Sequence, residues 1–303
     1  MDYGKKIDAE TWDFIHKAGE YYPPETATYT VAQQRKIYDK MCGAFFRGYP
    51  EGVTASDQLI GTIPTRHYTS NDAPATVMYF HGGGFVVGGL ESHDDVCAEI
   101  CNCTGLDVVS VDYRLAPEHL HPAMHDDCLA ATRHILTTTN TPILLAGDSA
   151  GGNLSAVVTL LAREQGAPKL ACQLLIYPAT DMLMRFPSHA ICGDGYRLTR
   201  TSIAWFISGY LRDGEDMYDM RASPLMAESH TDLPPAFVMT AAFDPLKDEG
   251  EAYAEKLQES GVKVKYSCYQ GMVHGFIAMP GAVDMAKTAL LDAASYIKQQ
   301  LSG

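Results

Sequence analysis

The chain has 303 residues, 46% of them hydrophobic, which is enough for one large domain or for one domain with an insertion. Its 37 acidic and 23 basic side chains give a formal net charge of -14, which disfavours binding to nucleic acid or to anionic membrane surfaces. Residues 1–20 carry charges throughout, and no stretch approaches the roughly 20 apolar residues of a membrane-spanning helix. We therefore expect no signal peptide, no membrane span and no nucleic-acid partner.

Eight cysteines are scattered along the chain. Cys97, Cys101 and Cys103 are close enough to be considered as zinc ligands, but no second pair follows at the spacing of a zinc site. The alternative is that they are small buried side chains on an amphipathic helix. A reduced, cytoplasmic protein fits this cysteine usage best.

From residue 75 onward, apolar strand patterns alternate with amphipathic helix patterns. The predicted strands are residues 75–80, 106–113, 142–147, 170–178, 235–244 and 262–270, and the predicted helices are residues 92–105, 122–136, 153–166, 248–259 and 282–301. The first helix opens with Ser92 and Asp95 at the spacing of a capping box. This alternation predicts an α/β fold in which helices flank both faces of a mainly parallel central sheet.

Two stretches interrupt this alternation. Residues 1–47 are polar, helix-like and rich in tyrosine, and residues 181–222 mix charges with aromatic side chains. They are either peripheral additions or a helical cap over the carboxyl edge of the sheet, where open α/β folds bind ligands. We favour the cap, because an insertion after the carboxyl end of a strand emerges at that edge. The predicted organisation is a two-part cap around a core of residues 48–180 and 223–303.

The segment LLAGDSAGGNL (144–154) crowds small residues around Ser149 in a G-x-S-x-G pattern. Gly147 and Gly151 remove side-chain bulk from a sharp strand-to-helix turn, which projects the hydroxyl above the sheet. Backbone amides at the start of the helix favour developing negative charge. The pattern alone occurs often by chance, but its position between a buried strand and a helix indicates a nucleophile.

A serine hydroxyl is a weak nucleophile unless a base removes its proton, and that base is usually a histidine oriented by a carboxylate. Of the eleven histidines, His274 lies in the loop GMVHGF between the last predicted strand and the final helix. His119, His121 and His125 form a local group that could bind a metal, but no carboxylate or cysteine pattern joins them. We therefore assign His274 as the base.

Asp244 is the best candidate for the carboxylate, because it ends a buried strand and so reaches the same edge of the sheet. Asp248 and Glu249 fall in the first turn of the next helix, where an acidic side chain usually interacts with the helix dipole. Asp148 adjoins the serine but should point elsewhere on so tight a turn. The resulting order of serine, acid and histidine along the chain is that of the α/β-hydrolases.

The segment HGGGF, from His81 to Phe85, follows a predicted strand and exposes backbone amides without side-chain bulk. A glycine run can be an ordinary loop, but beside the serine turn it is typical of a loop that binds an oxyanion. We assign the oxyanion hole to the amides of Gly83, Gly84 and Ala150.

Five blocks in this order resemble the hormone-sensitive-lipase-like (family IV) branch of the α/β-hydrolases, and especially its bacterial acetyl esterases. They are YFHGGGFVVGGLESHD, VSVDYRLAPEH, LLAGDSAGGNL, PPAFVMTAAFDPLKDEG and GMVHGF. The resemblance implies an α/β-hydrolase fold with a cap built from the amino-terminal helices and an insertion after the sixth strand. It places the catalytic roles on Ser149, Asp244 and His274, and it implies that Arg114 and Glu118 pair beneath the site.

The sequence therefore predicts a serine carboxylic ester hydrolase that acts on short, acetyl-like acyl esters through an acyl-enzyme. Its partner is a small-molecule ester, and the predicted reaction requires neither a metal nor an organic cofactor. The short-chain preference comes from the resemblance and from four bulky side chains in the predicted cap, which could equally belong to the core. These are Phe45, Phe46, Trp205 and Phe206.

Two other functions compete with this prediction. An amidase, such as an aryl-formamide hydrolase, could use the same triad, and a small-molecule receptor could reuse the scaffold. The serine and the histidine are both present, which disfavours a receptor. Family members often form dimers through the edge of the last strand, and the segment VKVKYSCYQ neither favours nor excludes such a homodimer here.

Overall fold

Strands and helices alternate along most of the chain in the computed structural model, which describes residues 6–70, 73–167 and 170–302. The strands are β1 (Thr54–Ile60), β2 (Ile63–Thr69), β3 (Thr76–Phe80), β4 (Asp107–Val111), β5 (Ile143–Asp148), β6 (Gln173–Ile176), β7 (Ala236–Phe243) and β8 (Val264–Val273). The α-helices of this part of the chain are α1 (Ala9–Gly19), α2 (Val31–Gly43), α3 (Asp94–Thr104), α4 (Ala123–Thr138), α5 (Ala150–Glu164), α6 (Ser188–Ile191), α7 (Arg200–Tyr210), α8 (Lys247–Glu259) and α9 (Asp284–Leu301).

The strands form one sheet in the order β1-β2-β4-β3-β5-β6-β7-β8. Strand β2 is antiparallel to both of its neighbours, and the remaining strands pair in parallel. This confirms the predicted α/β class with a mainly parallel central sheet. The hydrophobic pattern does not predict β1 or β2. Strand β1 carries no apolar pattern because it is an edge strand in which only Ile60 is buried.

Both faces of the sheet are covered by helices, as the continuous apolar strands require. In β3, Val77 and Tyr79 pack into the core beneath α3 and α9, whereas Met78 and Phe80 pack into the core beneath α4 and α5. Successive residues of a strand point to opposite faces, so every residue of β3 is buried. No helix within the three described ranges has the length and apolarity needed to cross a membrane.

The start of α3 differs from the predicted capping box. The helix begins at Asp94 with His93 at its N-cap, and no side chain caps it. The Ser92 hydroxyl accepts a hydrogen bond from the Gly89 N–H at 2.9 Å and donates one to the Gly89 carbonyl at 3.1 Å. The capping box is therefore wrong, because the preceding turn already uses the serine.

The two interrupting stretches lie beside the loops that follow the parallel strands. Arg35 of α2 donates hydrogen bonds to the carbonyls of Val86 at 2.8 Å and Ala116 at 2.9 Å. In the second stretch, Arg197 donates to the carbonyl of His274 at 2.9 Å. These contacts connect both stretches to the carboxyl edge of the sheet, and the predicted domain boundaries stay predictions.

Candidate active site

Ser149 occupies the turn between β5 and α5, with a φ of 56° that side-chain-bearing residues rarely adopt. A Cβ on Gly147 would lie 2.3 Å from the Gly151 carbonyl oxygen, and a Cβ on Gly151 would lie 1.8 Å from the Phe80 carbonyl oxygen. The Ser149 N–H donates to the Ile176 carbonyl at 2.9 Å. Both glycines are therefore required by close backbone approach, and the turn presents the hydroxyl at the carboxyl edge.

Ser149, His274 and Asp244 meet at this edge, although they lie far apart in the sequence. The His274 Nε2 is 3.0 Å from the Ser149 Oγ, and the His274 Nδ1 is 2.7 Å from the Asp244 Oδ2. Asp244 is fully buried, and its other oxygen accepts the Leu246 N–H at 2.9 Å. A proton on Nδ1 shared with this carboxylate leaves Nε2 free to accept the serine proton.

The glycine loop after β3 lines the same cavity as the serine. Gly83 and Gly84 have φ values of 115° and 60°, and a Cβ on Gly84 would lie 2.3 Å from the Phe206 ring. Within the described residues, the backbone N–H groups of Gly83, Gly84 and Ala150 donate no intramolecular hydrogen bond. All three residues border the cavity beside Ser149, so their amides are available to a bound group.

Asp148 connects the serine turn to this glycine loop, a role that the sequence analysis does not predict. Its Oδ1 accepts hydrogen bonds from the Tyr79 hydroxyl at 2.8 Å and the Gly82 N–H at 2.9 Å, and it lies 3.2 Å from the His93 Nε2. Burial raises the pKa of Asp148, but His93 and Tyr79 outweigh burial and hold that pKa below its ordinary value. The carboxylate points away from the serine, as the tight turn predicts.

A cavity of about 570 Å³ opens above Ser149. Its walls come from α1 and α2, from the glycine loop, from residues 194–210 and from the loop after β8. The apolar residues of these walls include Ile15, Ala18, Met41, Leu198, Ile203, Phe206, Ile207 and Met279. Of the four bulky side chains expected in the cap, only Phe206 lines this cavity. Phe45 packs against Phe14 in the core, whereas Phe46 and Trp205 are exposed.

Glu249 lies in the first turn of α8, as expected of a residue that interacts with the helix dipole, but it also makes contacts outside this helix. It is buried, and its carboxylate accepts the backbone N–H groups of Thr180 at 2.6 Å and Asp181 at 3.2 Å and contacts the His189 Nε2 at 2.6 Å. Burial raises the pKa of Glu249, although His189 opposes that shift. The residue thus joins the segment after β6 to the helix that follows Asp244.

The expected pairing of Arg114 with Glu118 is wrong. Arg114 binds Asp127 of α4 through two hydrogen bonds of 2.8 Å, and Glu118 accepts hydrogen bonds from Arg35 of α2 at 2.6 and 3.0 Å. A spacing of four residues brings side chains together on a helix, whereas residues 114–118 lie in the loop between β4 and α4.

Two of the three histidines that could bind a metal are instead engaged by protein side chains. His121 lies 2.9 Å from the Tyr210 hydroxyl and 3.2 Å from Asp219, and the His125 Nε2 is 3.2 Å from the Asn153 Oδ1. The sequence does not indicate that Asp219 lies beside His121, because Asp219 comes 98 positions later, in the second interrupting stretch.

The three cysteines that were considered as zinc ligands lie on α3, a helix that packs into the core. Cys97 and Cys101 are buried on α3, and Cys103 is half-buried. Across residues 6–70, 73–167 and 170–302, no group of three or more histidines, cysteines and acidic residues could hold a metal ion.

Comparisons with known proteins show the family of this chain. A family model described as "alpha/beta hydrolase fold" matches residues 77–278. The chain is 42% identical to the carboxylic ester hydrolase LipN of Mycobacterium tuberculosis over 72% of this chain, which spans 61% of LipN. It is 35% identical to the ethyl acetate hydrolase of Pseudomonas putida over 79% of each chain.

Solved structures show the same similarity over nearly the whole chain. An α/β-hydrolase from the metagenome of Lake Arreo superposes with a TM-score of 0.91 at 36% identity, covering 99% of this chain and 100% of that one. A thermostable esterase from Pseudomonas putida superposes with a TM-score of 0.91 at 30% identity, covering 98% of both chains. The chain therefore belongs to the hormone-sensitive-lipase-like branch of the α/β-hydrolase fold family and is an ester hydrolase of the carboxylesterase type.

Proposed function

We propose that the protein hydrolyses short-chain carboxylic esters through a Ser149–His274–Asp244 triad. The observation that carries this proposal is the His274 imidazole, which lies between the Ser149 hydroxyl at 3.0 Å and the Asp244 carboxylate at 2.7 Å. These distances are within the reach of direct proton transfer. Asp244 holds the imidazole orientation and stabilises the charge that the ring gains.

In the first half of the reaction, the Ser149 Oγ attacks the ester carbonyl carbon and His274 Nε2 takes the hydroxyl proton. The carbonyl oxygen becomes an oxyanion, which the amides of Gly83, Gly84 and Ala150 stabilise. The bond to the alcohol oxygen then breaks, and His274 returns its proton to that oxygen. The alcohol leaves, and the acyl group remains on Ser149.

In the second half, water takes the place of the alcohol. His274 removes a proton from the water as its oxygen attacks the acyl carbon, and the same amides bind the second oxyanion. The bond to Ser149 breaks, and the serine oxygen regains a proton from His274. The products are one carboxylic acid and one alcohol for each ester and water consumed.

The preference for short acyl chains is supported by the packing of Phe206 against Gly84. The ring lies 2.3 Å from the position of a Cβ on Gly84, which restricts the space beside the proposed oxyanion hole. The relative from Pseudomonas putida that is named an ethyl acetate hydrolase is consistent with this preference. We also propose that residues 1–47 and 181–222 form the cap over this space, around a core of residues 48–180 and 223–303.

Covalent labelling tests the triad. Treatment with a p-nitrophenyl phosphonate should release one equivalent of p-nitrophenol, abolish esterase activity and leave the phosphonyl group on the peptide that contains Ser149. Labelling of another residue with loss of activity would contradict the assignment. A protein that hydrolyses no ester and takes no label would instead support the receptor alternative.

A substrate panel tests the chain-length preference and the reaction class. Among p-nitrophenyl esters, kcat/KM should be highest for acetyl to hexanoyl groups and should decrease for longer chains. A maximum at long chains would contradict the short-chain preference. Faster turnover of 4-nitroacetanilide than of p-nitrophenyl acetate would favour the amidase instead.

A further inference from the structure

Arg197 is a basic residue of the cavity that the proposed reaction does not use. It lines the cavity together with Ser149 and His274, and it is half-buried. No other lysine or arginine of the described residues lines this cavity. The acidic residues there are Asp148, whose carboxylate binds Tyr79 and the Gly82 amide, and Asp194, which is exposed. The largely apolar wall therefore contains one permanent positive charge.

Among the described residues, no carboxylate forms an ion pair with this guanidinium. By contrast, Arg35 and Arg114 each bind a carboxylate at 2.6 to 2.8 Å. An unpaired charge in a partly desolvated setting is costly unless another group compensates it. A bound anion would compensate this charge.

The donors of Arg197 are also incompletely used. The Nη1 donates to the His274 carbonyl at 2.9 Å, but within the described ranges the Nη2 contacts only the thioether sulfurs of Met41 and Met279 at 3.8 Å. The Nε is buried and finds no hydrogen-bond partner in the described part of the chain. The Phe14 ring lies 5.1 Å from the guanidinium carbon and holds the group in place. Thioethers are weak acceptors, so a carboxylate would satisfy the Nη2 donors far better.

We propose that Arg197 binds a carboxylate on the alcohol portion of the substrate, so that esters of carboxylate-bearing alcohols or phenols are a preferred substrate class. This inference rests on the proposed function. His274 must protonate the leaving oxygen, which places the alcohol portion on the His274 side of the cavity. Arg197 is anchored to the His274 backbone and therefore stands on that side. A guanidinium matches a carboxylate in charge and geometry.

The test uses two acetate esters of similar size, 4-acetoxybenzoate and 4-acetoxybenzamide. The ratio of their kcat/KM values, charged over neutral, should decrease about tenfold or more in Arg197→Gln, because one charge-assisted contact is lost. Arg197→Lys should recover part of this ratio. The matched control is Arg200→Gln, at an exposed arginine that does not line the cavity, which should leave the ratio unchanged.

An equal ratio in the wild type and in Arg197→Gln would overturn the inference and leave Arg197 as a support for the His274 loop. Product inhibition of the wild type gives a second test that needs no variant. Against p-nitrophenyl acetate hydrolysis, 4-hydroxybenzoate should inhibit at about a tenfold lower concentration than 4-hydroxybenzamide. Equal inhibition by the two compounds would also overturn the inference.

The same experiments separate this inference from the proposed function. Hydrolysis of the neutral ester 4-acetoxybenzamide by the wild type supports the esterase proposal whatever the ratio is. A wild type that hydrolyses neither acetate would contradict the esterase proposal itself. An active wild type with no dependence of the ratio on Arg197 would contradict only the preference for anionic esters.

Discussion

The Asp148 carboxylate accepts a hydrogen bond of 2.9 Å from the backbone N–H of Gly82. One residue therefore links the turn that carries Ser149 to the loop that carries Gly83 and Gly84. This hydrogen bond connects the proposed nucleophile to the proposed oxyanion donors, although neither Asp148 nor Gly82 takes part in the proposed reaction. Catalysis by fixed dipoles requires a rigid arrangement, because loose donors would have to reorganise during the reaction.

Asp148→Asn should lower kcat about tenfold, because the neutral amide holds the Gly82 N–H and the Tyr79 hydroxyl less strongly than the carboxylate does. The control is Tyr79→Phe, which removes one donor to Asp148 and leaves the bond from Gly82 in place. Steady-state hydrolysis of p-nitrophenyl acetate by the two variants measures the difference. If both variants had the kcat of the wild type, Asp148 would have no part in positioning the loop.

Gly84→Ala should lower kcat/KM about a hundredfold, because its Cβ would lie 2.3 Å from the Phe206 ring and displace the oxyanion loop. The matched control is Gly105→Ala, where φ is also positive, at 71°, but nothing lies within 4 Å of the new Cβ. The control should lose about 1 kcal/mol of stability from backbone strain and keep its activity. Equal activities in the two variants would rule out a steric effect at the loop.

Glu249→Ala should lower the free energy of unfolding by about 3–5 kcal/mol, because it leaves His189 and two backbone N–H groups buried without their acceptor. Glu255→Ala is the control, at an exposed position of the same helix, and should change the free energy of unfolding by less than about 0.5 kcal/mol. Urea denaturation followed by circular dichroism measures both. A loss in Glu249→Ala no larger than that in the control would show that the buried contact contributes nothing.

Because His125 is buried, we expect the free energy of unfolding to decrease in acid. Burial, assisted by His121, lowers the pKa of His125 to about 3, whereas an unfolded histidine titrates near pH 6.5. Between these values the unfolded state binds the extra proton, so the free energy of unfolding decreases as the pH falls through this range. His125→Gln should reduce the slope by about 1.4 kcal/mol per pH unit between about pH 6 and pH 4.

Urea denaturation at several pH values measures these slopes. The control is His119→Gln, at an exposed histidine four residues before α4, which should keep the slope of the wild type. A slope in His125→Gln that equals that of the control would mean that His125 takes up its proton equally in the folded and unfolded states.

The parallel part of the fold could be predicted because its strands carry a strong local signal. Every residue of β3 and of β5 is buried, and residues 77–80 and 143–147 form unbroken apolar runs in the sequence. The parallel direction of these strands also determines where their carboxyl ends lie. Ser149 follows β5, Asp244 follows β7 and His274 follows β8, so parallel pairing brings the three side chains to one edge.

The polar contacts could not be predicted in this way, because they join residues far apart in the sequence and leave no periodic pattern. Glu249 binds the Thr180 amide across 69 positions, and Asp148 binds the Gly82 amide across 66. The family resemblance implied that Arg114 and Glu118 pair, but each side chain binds a partner on a different helix. Strand β1 could not be predicted from an apolar pattern because its residues are mostly exposed.

Hydrolysis of p-nitrophenyl acetate by purified Ser149→Ala tests the triad most directly. Because serine, histidine and aspartate act as one unit, removal of the nucleophile should lower kcat by about a millionfold while the protein stays folded. Circular dichroism of the same sample verifies the fold. Turnover near that of the wild type would contradict the assignment of Ser149 as the nucleophile.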